Sequence, residues 1–421
     1  MRRRAGLLVL AACGSSSPGP VEVTRRAIVV AYAGSEPEAE VVVLGHTRDG
    51  RVVEQVIADE TGRADVGLDD DGYVSVVFPG KLAATAPQVT VVTVPAPLEG
   101  ELAVHGPPHS PVPSIVGALR LSGSNLNVAD YFEVTLGCAT TRVTDLPATI
   151  DVGSCNLGSD SRIDVLARGY HDLGGDPPAP MLDGYAAGRA TLTNGAATLN
   201  LPSWRTTGTM VPITLDGVDP DLEWTFRVDG IEFLTEPLIA PAGRLYTNLD
   251  VDTTTVQGSL PIAGGAVLTT REVMGTPTAI AFGAGDFLPP LDTNIAQKKL
   301  SPFTVEWAAA AETGADAANV HASWELDTAA RPRRVIWEAV LPTDATSATF
   351  PAFEGELADL LSPIAVVPLD LVLRHVDSSE LDGFDALVAA GLHAEDKQTL
   401  NRIVPRATEG QIRTSYVFGR E

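Results

Sequence analysis

Cysteine is almost missing from this chain, whose 421 residues contain only Cys13, Cys138 and Cys155. There is no Cys-x-x-Cys and no histidine at ligand spacing from a cysteine, which sets a redox or metal pair behind a structural role. Lysine is as scarce, limited to Lys81, Lys298, Lys299 and Lys397, and basic residues are outnumbered 54 to 29 by acidic ones, for a net charge of −25. Such a chain repels nucleic-acid phosphates and gains nothing from anionic lipid by charge. Beyond the N-terminus no run approaches ~18 consecutive apolar residues, so no spanning helix is expected. Catalytic signatures are missing too. There is no Gly-x-Ser-x-Gly elbow, no His-Glu-x-x-His and no Gly-x-x-x-x-Gly-Lys-Ser/Thr loop, and "GAGDF" at Gly283 lacks the third glycine of a dinucleotide fingerprint. His46, His171, His321, His375 and His393 are scattered singly. A glycosidase needs only two facing carboxylates, a geometry that sequence does not reveal.

What is present begins at the N-terminus. Arg2, Arg3 and Arg4 precede a compact apolar run, Ala5 to Ala12, the layout of a secretory signal peptide over residues 1–12. Eight apolar residues reach only ~12 Å as a helix, short of a ~30 Å hydrocarbon core. Leu10-Ala11-Ala12-Cys13 resembles the lipobox of bacterial lipoprotein signal peptides. The resemblance implies that Cys13 is acylated and becomes the mature N-terminus; the alternative is an ordinary signal peptide with a chance cysteine. Residues 13–20, rich in glycine, serine and proline, have the composition of a flexible leash. Two or more acyl chains anchor durably where one does not. The residue after the cysteine is Gly14 and not the aspartate that would resemble an inner-membrane retention signal of some bacteria, which favours the outer membrane, at its periplasmic face or the cell surface.

Lipidation of Cys13 leaves Cys138 and Cys155. They end two candidate strands, "YFEVTLGC", with Phe132, Val134, Leu136 and Cys138 on one face, and "ATIDVGSC". An oxidising compartment permits a disulfide between them. Closing that loop is worth about 3 kcal/mol in the chain-entropy model.

The body of the chain alternates short β-branched runs with glycine, proline and aspartate turns, the pattern of antiparallel sandwiches. Three units are expected, over 21–110, 113–245 and 248–421. The first reads "RRAIVVAYA", "AEVVVLGHT", "RVVEQVIAD", "RADVGL" and "YVSVVF", with Asp-Gly turns that favour positive φ. Asp49-Gly50-Arg51, Asp59-Glu60-Thr61-Gly62 and Gly72-Tyr73-Val74, in that order, resemble the carboxypeptidase regulatory-like, transthyretin-like β-sandwich repeat. The resemblance covers about 70 residues and implies a fold and a role in support or adhesion, since a shared fold does not license a shared activity.

"HGPPHSPVPS", from His105 to Ser114, reads as a stiff linker or strand boundary rather than a metal site at His105 and His109. Asp216, Asp219, Asp221 and Glu223 cluster within "LDGVDPDLEW" but depart from the EF-hand spacing, so a solvated loop is the default and calcium the alternative. Trp307, Trp324 and Trp337 fall on strands and are expected in the core rather than as ligand platforms. "VIWEAVLP" followed by "TFP" resembles fibronectin type III-like or immunoglobulin-like units and carries no residue roles. Near 379–390 one short helix is expected, with Asp377 to Glu380 as capping box, Leu381, Phe384 and Val388 on one face, and Gly391 as its stop. "QIRTSYVF" closes the chain as a strand.

The expectation is therefore an all-β chain of tandem antiparallel sandwiches, transthyretin-like or immunoglobulin-like, with one short C-terminal helix. Its leading functional reading is a lipid-anchored, non-catalytic envelope protein that meets another protein or a glycan. A carbohydrate- or calcium-dependent adhesion module and an unrecognised extracytoplasmic hydrolase are the alternatives. No cofactor, catalytic residue or metal ligand is nominated.

Overall fold

The computed structural model describes most of residues 22–419, apart from short segments of which the longest are 79–87, 107–116, 153–161, 234–241, 362–369 and 394–409. The described chain is all-β, with only two short α-helices, Glu356–Leu361 and Gly383–Ala389, and one 3-10 turn. The alternating runs become strands where the pattern places them: Arg25–Ala33, Val42–His46, Val52–Ile57, Arg63–Leu68, Tyr73–Phe78 and, at the end, Gln411–Phe418. Gly50 and Gly62 turn the chain at φ of +87° and +74°, a region open to glycine. Gly72 closes its turn without a positive φ.

The strands build three β layers. The central layer is a twelve-stranded sheet that runs from Ile231–Phe233 at one edge to Val52–Ile57 at the other. Within it Gln88–Pro95 pairs in parallel with Arg331–Leu341, so strands of 21–110 and of 248–421 share one sheet. Most other pairings are antiparallel. One outer layer holds Arg25–Ala33, Arg63–Leu68, Glu101–Gly106 and Leu392–His393. The other holds Ile295–Leu300, Phe303–Trp307 and Ser347–Thr349.

Burial on both faces explains why the central strands read as nearly continuous apolar runs. Along Gln88–Pro95, Val92 and Val94 join the core facing the first outer layer, while Val89 and Val91 join the core facing the second. Val43 and Leu44 divide in the same way. The second core is the aromatic one. Trp324 and Trp337 meet Phe303 and Phe350 there at centroid separations of 5.0–5.9 Å, and Trp307 is buried in the same cluster.

Between these segments, two smaller sheets face each other. Tyr131–Leu136, Ala139–Val143, Arg162–Asp172 and Pro180–Thr191 form one, and Ala118–Gly123, Ala148–Asp151 and Ala196–Leu201 the other. Phe132, Val134 and Leu136 share their common core with Leu119, Leu121 and Ile150. The strands expected to carry the two cysteines thus lie in facing sheets rather than side by side in one.

The C-terminal helix runs over Gly383–Ala389 and stops at Gly391, whose φ is +92°. Leu387 and Val388 are buried in the first core, with Leu381 and Phe384 packed against it. The expected capping box does not form. Asp377 and Ser378 remain in strand Asp370–Ser378, paired with Arg413 and Ile412, and Asp377 accepts a 2.7 Å bond from Arg413 Nε. Asp316 takes over from a distance, accepting from Ser378 N at 2.8 Å and Gly383 N at 2.7 Å.

Candidate functional site

Three polar arrays stand out, two interior and one open to solvent. The first crosses four strands of the central sheet. Cross-strand register sets Ser75 between Leu44 and Thr93, on the face that looks into the aromatic core. From there Trp337 Nε1 donates to Thr93 Oγ1 at 3.0 Å, Thr93 and Ser75 hydroxyls meet at 2.7 Å, and Ser75 Oγ meets His46 Nε2 at 2.8 Å. His46 Nδ1 then reaches Thr47 O at 2.9 Å.

The two ends fix the direction of this chain. An indole N–H only donates and a carbonyl only accepts. Thr93 therefore donates to Ser75, Ser75 donates to His46 Nε2, and the proton of the neutral imidazole sits on Nδ1. Burial pushes the His46 imidazole down to about 4, against weaker pulls from the Thr47 bond and Asp49.

A serine donating to a histidine is the first element of a nucleophile–base pair. Here Ser75 is 0% and His46 1% exposed, and the imidazole is oriented by a backbone carbonyl rather than a carboxylate. The space beside the chain, lined by Arg48, Tyr73, Thr93 and Trp337, measures about 10 Å³, room for a single water. The arrangement holds strands together and admits no substrate.

The second array lies on the opposite face of the central sheet. His321 stands across from Glu338, and Asn319 across from Arg374. His321 Nδ1 is 2.5 Å from Glu338 Oε1, Asn319 Nδ2 donates to Glu338 Oε2 at 3.1 Å, and Arg374 Nη1 donates to Asn319 Oδ1 at 3.2 Å. Burial pulls the Glu338 carboxyl upward, but His321, Arg374 and Asn319 outweigh it and hold the group below its ordinary value. Burial lowers the Arg374 guanidinium, with Glu338 opposing. One step along the same face, Ser323 donates to Asp370 at 2.8 Å and Arg334 Nη2 donates to both. Cross-strand pairs of this kind are a means of setting register, although Arg374 Nε and Arg334 Nε are buried without a hydrogen-bond partner.

The third array is a cleft of about 620 Å³ at the rim of the sandwich. Arg25, Arg48, Arg51, Asp49, Asp69, Asp70, Asp71, Tyr73 and Pro342 contribute to it, so it carries both signs of charge beside an aromatic ring and draws on both the first and third segments. Arg25 is spent on architecture: its guanidinium donates to the carbonyls of Asp69, Gly72, Ala96 and Pro97. Asp49 is tied to Thr47 and Arg51, and the Thr47 bond first among these holds its carboxyl below the usual range. The Asp69 carboxyl moves the other way, raised by burial and by Asp71 and Asp70, with its own N–H and Arg25 opposing. Arg48, Asp70 and Asp71 remain exposed at the mouth.

Cys13, Cys138 and Cys155 lie outside the described residues, as do Asp219, Asp221 and His109. Asp216 and Glu223 end and begin strands of different sheets. His105, expected at the start of a linker, is inside strand Glu101–Gly106. Trp307, Trp324 and Trp337 are at most 5% exposed, which places them in the core. Among the described residues no group of three or more His, Cys, Asp or Glu is placed to hold a metal, and no helix is long and apolar enough to cross a membrane. The chain running from Trp337 to His46 was not legible beforehand, because its members are distant in sequence and meet only through strand register.

No family model and no curated protein matches this chain. Among solved structures, the FN1-FN3 domains of chicken CNTN1 align with 83% of this chain and 94% of that chain at 9% identity, with a TM-score of 0.13. At that score the alignment carries no argument, and the all-β assignment rests on this chain's own strands and cores.

Proposed function

We propose that this chain is a lipid-anchored, non-catalytic protein of the bacterial cell envelope, held at the outer membrane through Cys13, that presents its sandwich rim to another protein or a glycan. The observation that carries the reading is the division of polar groups. His46 with Ser75 and Thr93, and His321 with Glu338, are satisfied across strands in the interior, whereas exposed charge of both signs gathers at the rim cleft around Arg48, Asp70 and Asp71. Mixed charge beside an aromatic ring suits a polar partner better than an apolar ligand. Trp307, Trp324 and Trp337 are inside and offer no stacking platform at this cleft, which favours a protein partner for this surface. The carboxypeptidase regulatory-like resemblance of the first segment is supported by the four successive strands from Val42 to Phe78 and by the left-handed glycines at two of its turns.

The test is intact-mass analysis of detergent-extracted protein beside a Cys13→Ser variant, followed by peptide mapping with and without reductant. The proposal expects a mature start at Cys13 carrying acyl mass, absent from the variant, and a Cys138–Cys155 bridge. An unmodified Cys13 would end the anchored reading, and free thiols at both other cysteines would end the disulfide.

A further inference from the structure

The second outer layer ends in an open edge, and lysine, scarce elsewhere in the chain, sits on it. Phe303–Trp307 is the middle strand of that three-stranded sheet, with Ile295–Leu300 and Ser347–Thr349 at its edges. Ser347–Thr349 has only 3 residues, whereas Ile295–Leu300 has 6, and among the described residues no strand pairs with its outer side. A row of backbone N–H and C=O groups left open on an edge of that length is a template for a strand of another chain. Ile295 is buried in the aromatic core and Leu300 packs against it, so the strand is held in place with its edge outward.

Between these two anchors the ladder is interrupted. Register passes from Gln297 opposite Val305 directly to Lys299 opposite Thr304, which leaves Lys298 as the extra residue of a β-bulge. Lys298 and Lys299 are both exposed. Lys298 is partly offset by Glu306 on the neighbouring strand, while Lys299 carries its charge into solvent. They are two of only four lysines among 29 basic residues, so arginine serves nearly everywhere else. The difference matters at an edge. An ammonium is more strongly hydrated than a guanidinium and has no flat face to stack, so it resists being covered by an incoming strand.

We propose that Lys298 and Lys299 guard this edge, and that what they keep off is a second copy of the chain adding its own Ile295–Leu300 to extend the sheet. Two identical edges meet most simply about a two-fold axis. In such an antiparallel pairing centred on the bulge, the lysines of one copy face those of the other, and like charges directly opposite are destabilising. The bulge adds a local kink that spoils a continuous ladder. The guard needs no lipid anchor to act, though copies tethered to one membrane meet at raised local concentration, where an open edge is most exposed to pairing.

The experiment is sedimentation velocity across a dilution series of the full-length chain, with amide hydrogen exchange read at the highest concentration. Lys298→Thr combined with Lys299→Thr should raise the self-association constant ~10-fold or more over wild type, the sum of two facing like-charge pairs. The amides of Ile295–Leu300 should gain protection as it does so. Lys298→Thr combined with Lys299→Glu keeps a charge on the edge and should sediment as wild type does. A Thr/Thr chain no more associated than wild type overturns the proposal. So does association that leaves Ile295–Leu300 unprotected, or equal association of the Thr/Glu chain. Should the Thr/Thr chain misfold, Lys298→Gln with Lys299→Gln decides, since glutamine keeps the polarity and drops the charge. Association with protection of the edge then supports the guard, and an unchanged monomer refutes it.

Discussion

His46 makes the interior polar chain sensitive to acid, and the size of the effect follows from its surroundings. Its imidazole titrates at about 4 in the folded protein against 6.5 when free, because burial disfavours the charged ring. Between those values the unfolded chain binds a proton that the folded chain does not, so stability falls as pH falls. It is fully present above about 6.5 and is lost progressively down to about 4. A gap of roughly 2.5 units at ~1.4 kcal/mol per unit gives ~3 kcal/mol from this residue. Structurally, a proton on Nε2 removes the acceptor for Ser75, whose hydroxyl must then turn to accept from the ring and reverse its bond with Thr93. Urea unfolding of the wild type and of His46→Gln, at pH 7.5 and again near pH 4, isolates the contribution. His375, also pushed down by burial to about 4, is common to both proteins and cancels. The variant should be the less stable at neutral pH, and its loss on acidification should be smaller by about 3 kcal/mol. Equal pH dependence in the two proteins, or a His46 resonance titrating near 6.5 in the folded state, would refute the direction assigned to the hydrogen-bond chain.

Two further expectations concern long-range organisation. Asp316→Ala strands the Ser378 and Gly383 amides, at a cost of ~1–3 kcal/mol per buried group. Hydrogen exchange should therefore accelerate at Ser378 and in Gly383–Ala389 ahead of the rest, and uniform exchange would show that Asp316 is not the cap. Residues 21–110 expressed alone should not form a cooperative monomer. Excision removes Ala317, Val340, Val376, Leu387, Val388 and Leu392 from the first core and leaves Gln88–Pro95 as an open sheet edge. A sharp, reversible unfolding transition from that fragment would contradict the shared-sheet architecture.

The strands were legible because their causes are local. "RRAIVVAYA", "YVSVVF" and "QIRTSYVF" occupy Arg25–Ala33, Tyr73–Phe78 and Gln411–Phe418, and glycines supply the left-handed turns at residues 50 and 62. The burial of Trp307, Trp324 and Trp337 was equally readable from their size and setting. The start of the C-terminal helix was not. Asp377 and Ser378 look like a cap in sequence, but Gln411–Phe418 holds them in a strand, and the carboxylate that reaches the helix start comes from Asp316.

Sequence alone therefore determined the β content, the positions of most strands, the acidic charge and the absence of recognised catalytic motifs, since composition, alternation and turn chemistry act over a few residues. Tertiary structure decided which strand lies beside which. Ladder hydrogen bonds are made by backbone atoms that nearly every residue carries, so a run such as "QVTVVTVP" declares that it is buried on both faces without naming its neighbour. Only the fold joins Gln88–Pro95 to Arg331–Leu341. Only that register brings Trp337 to Thr93.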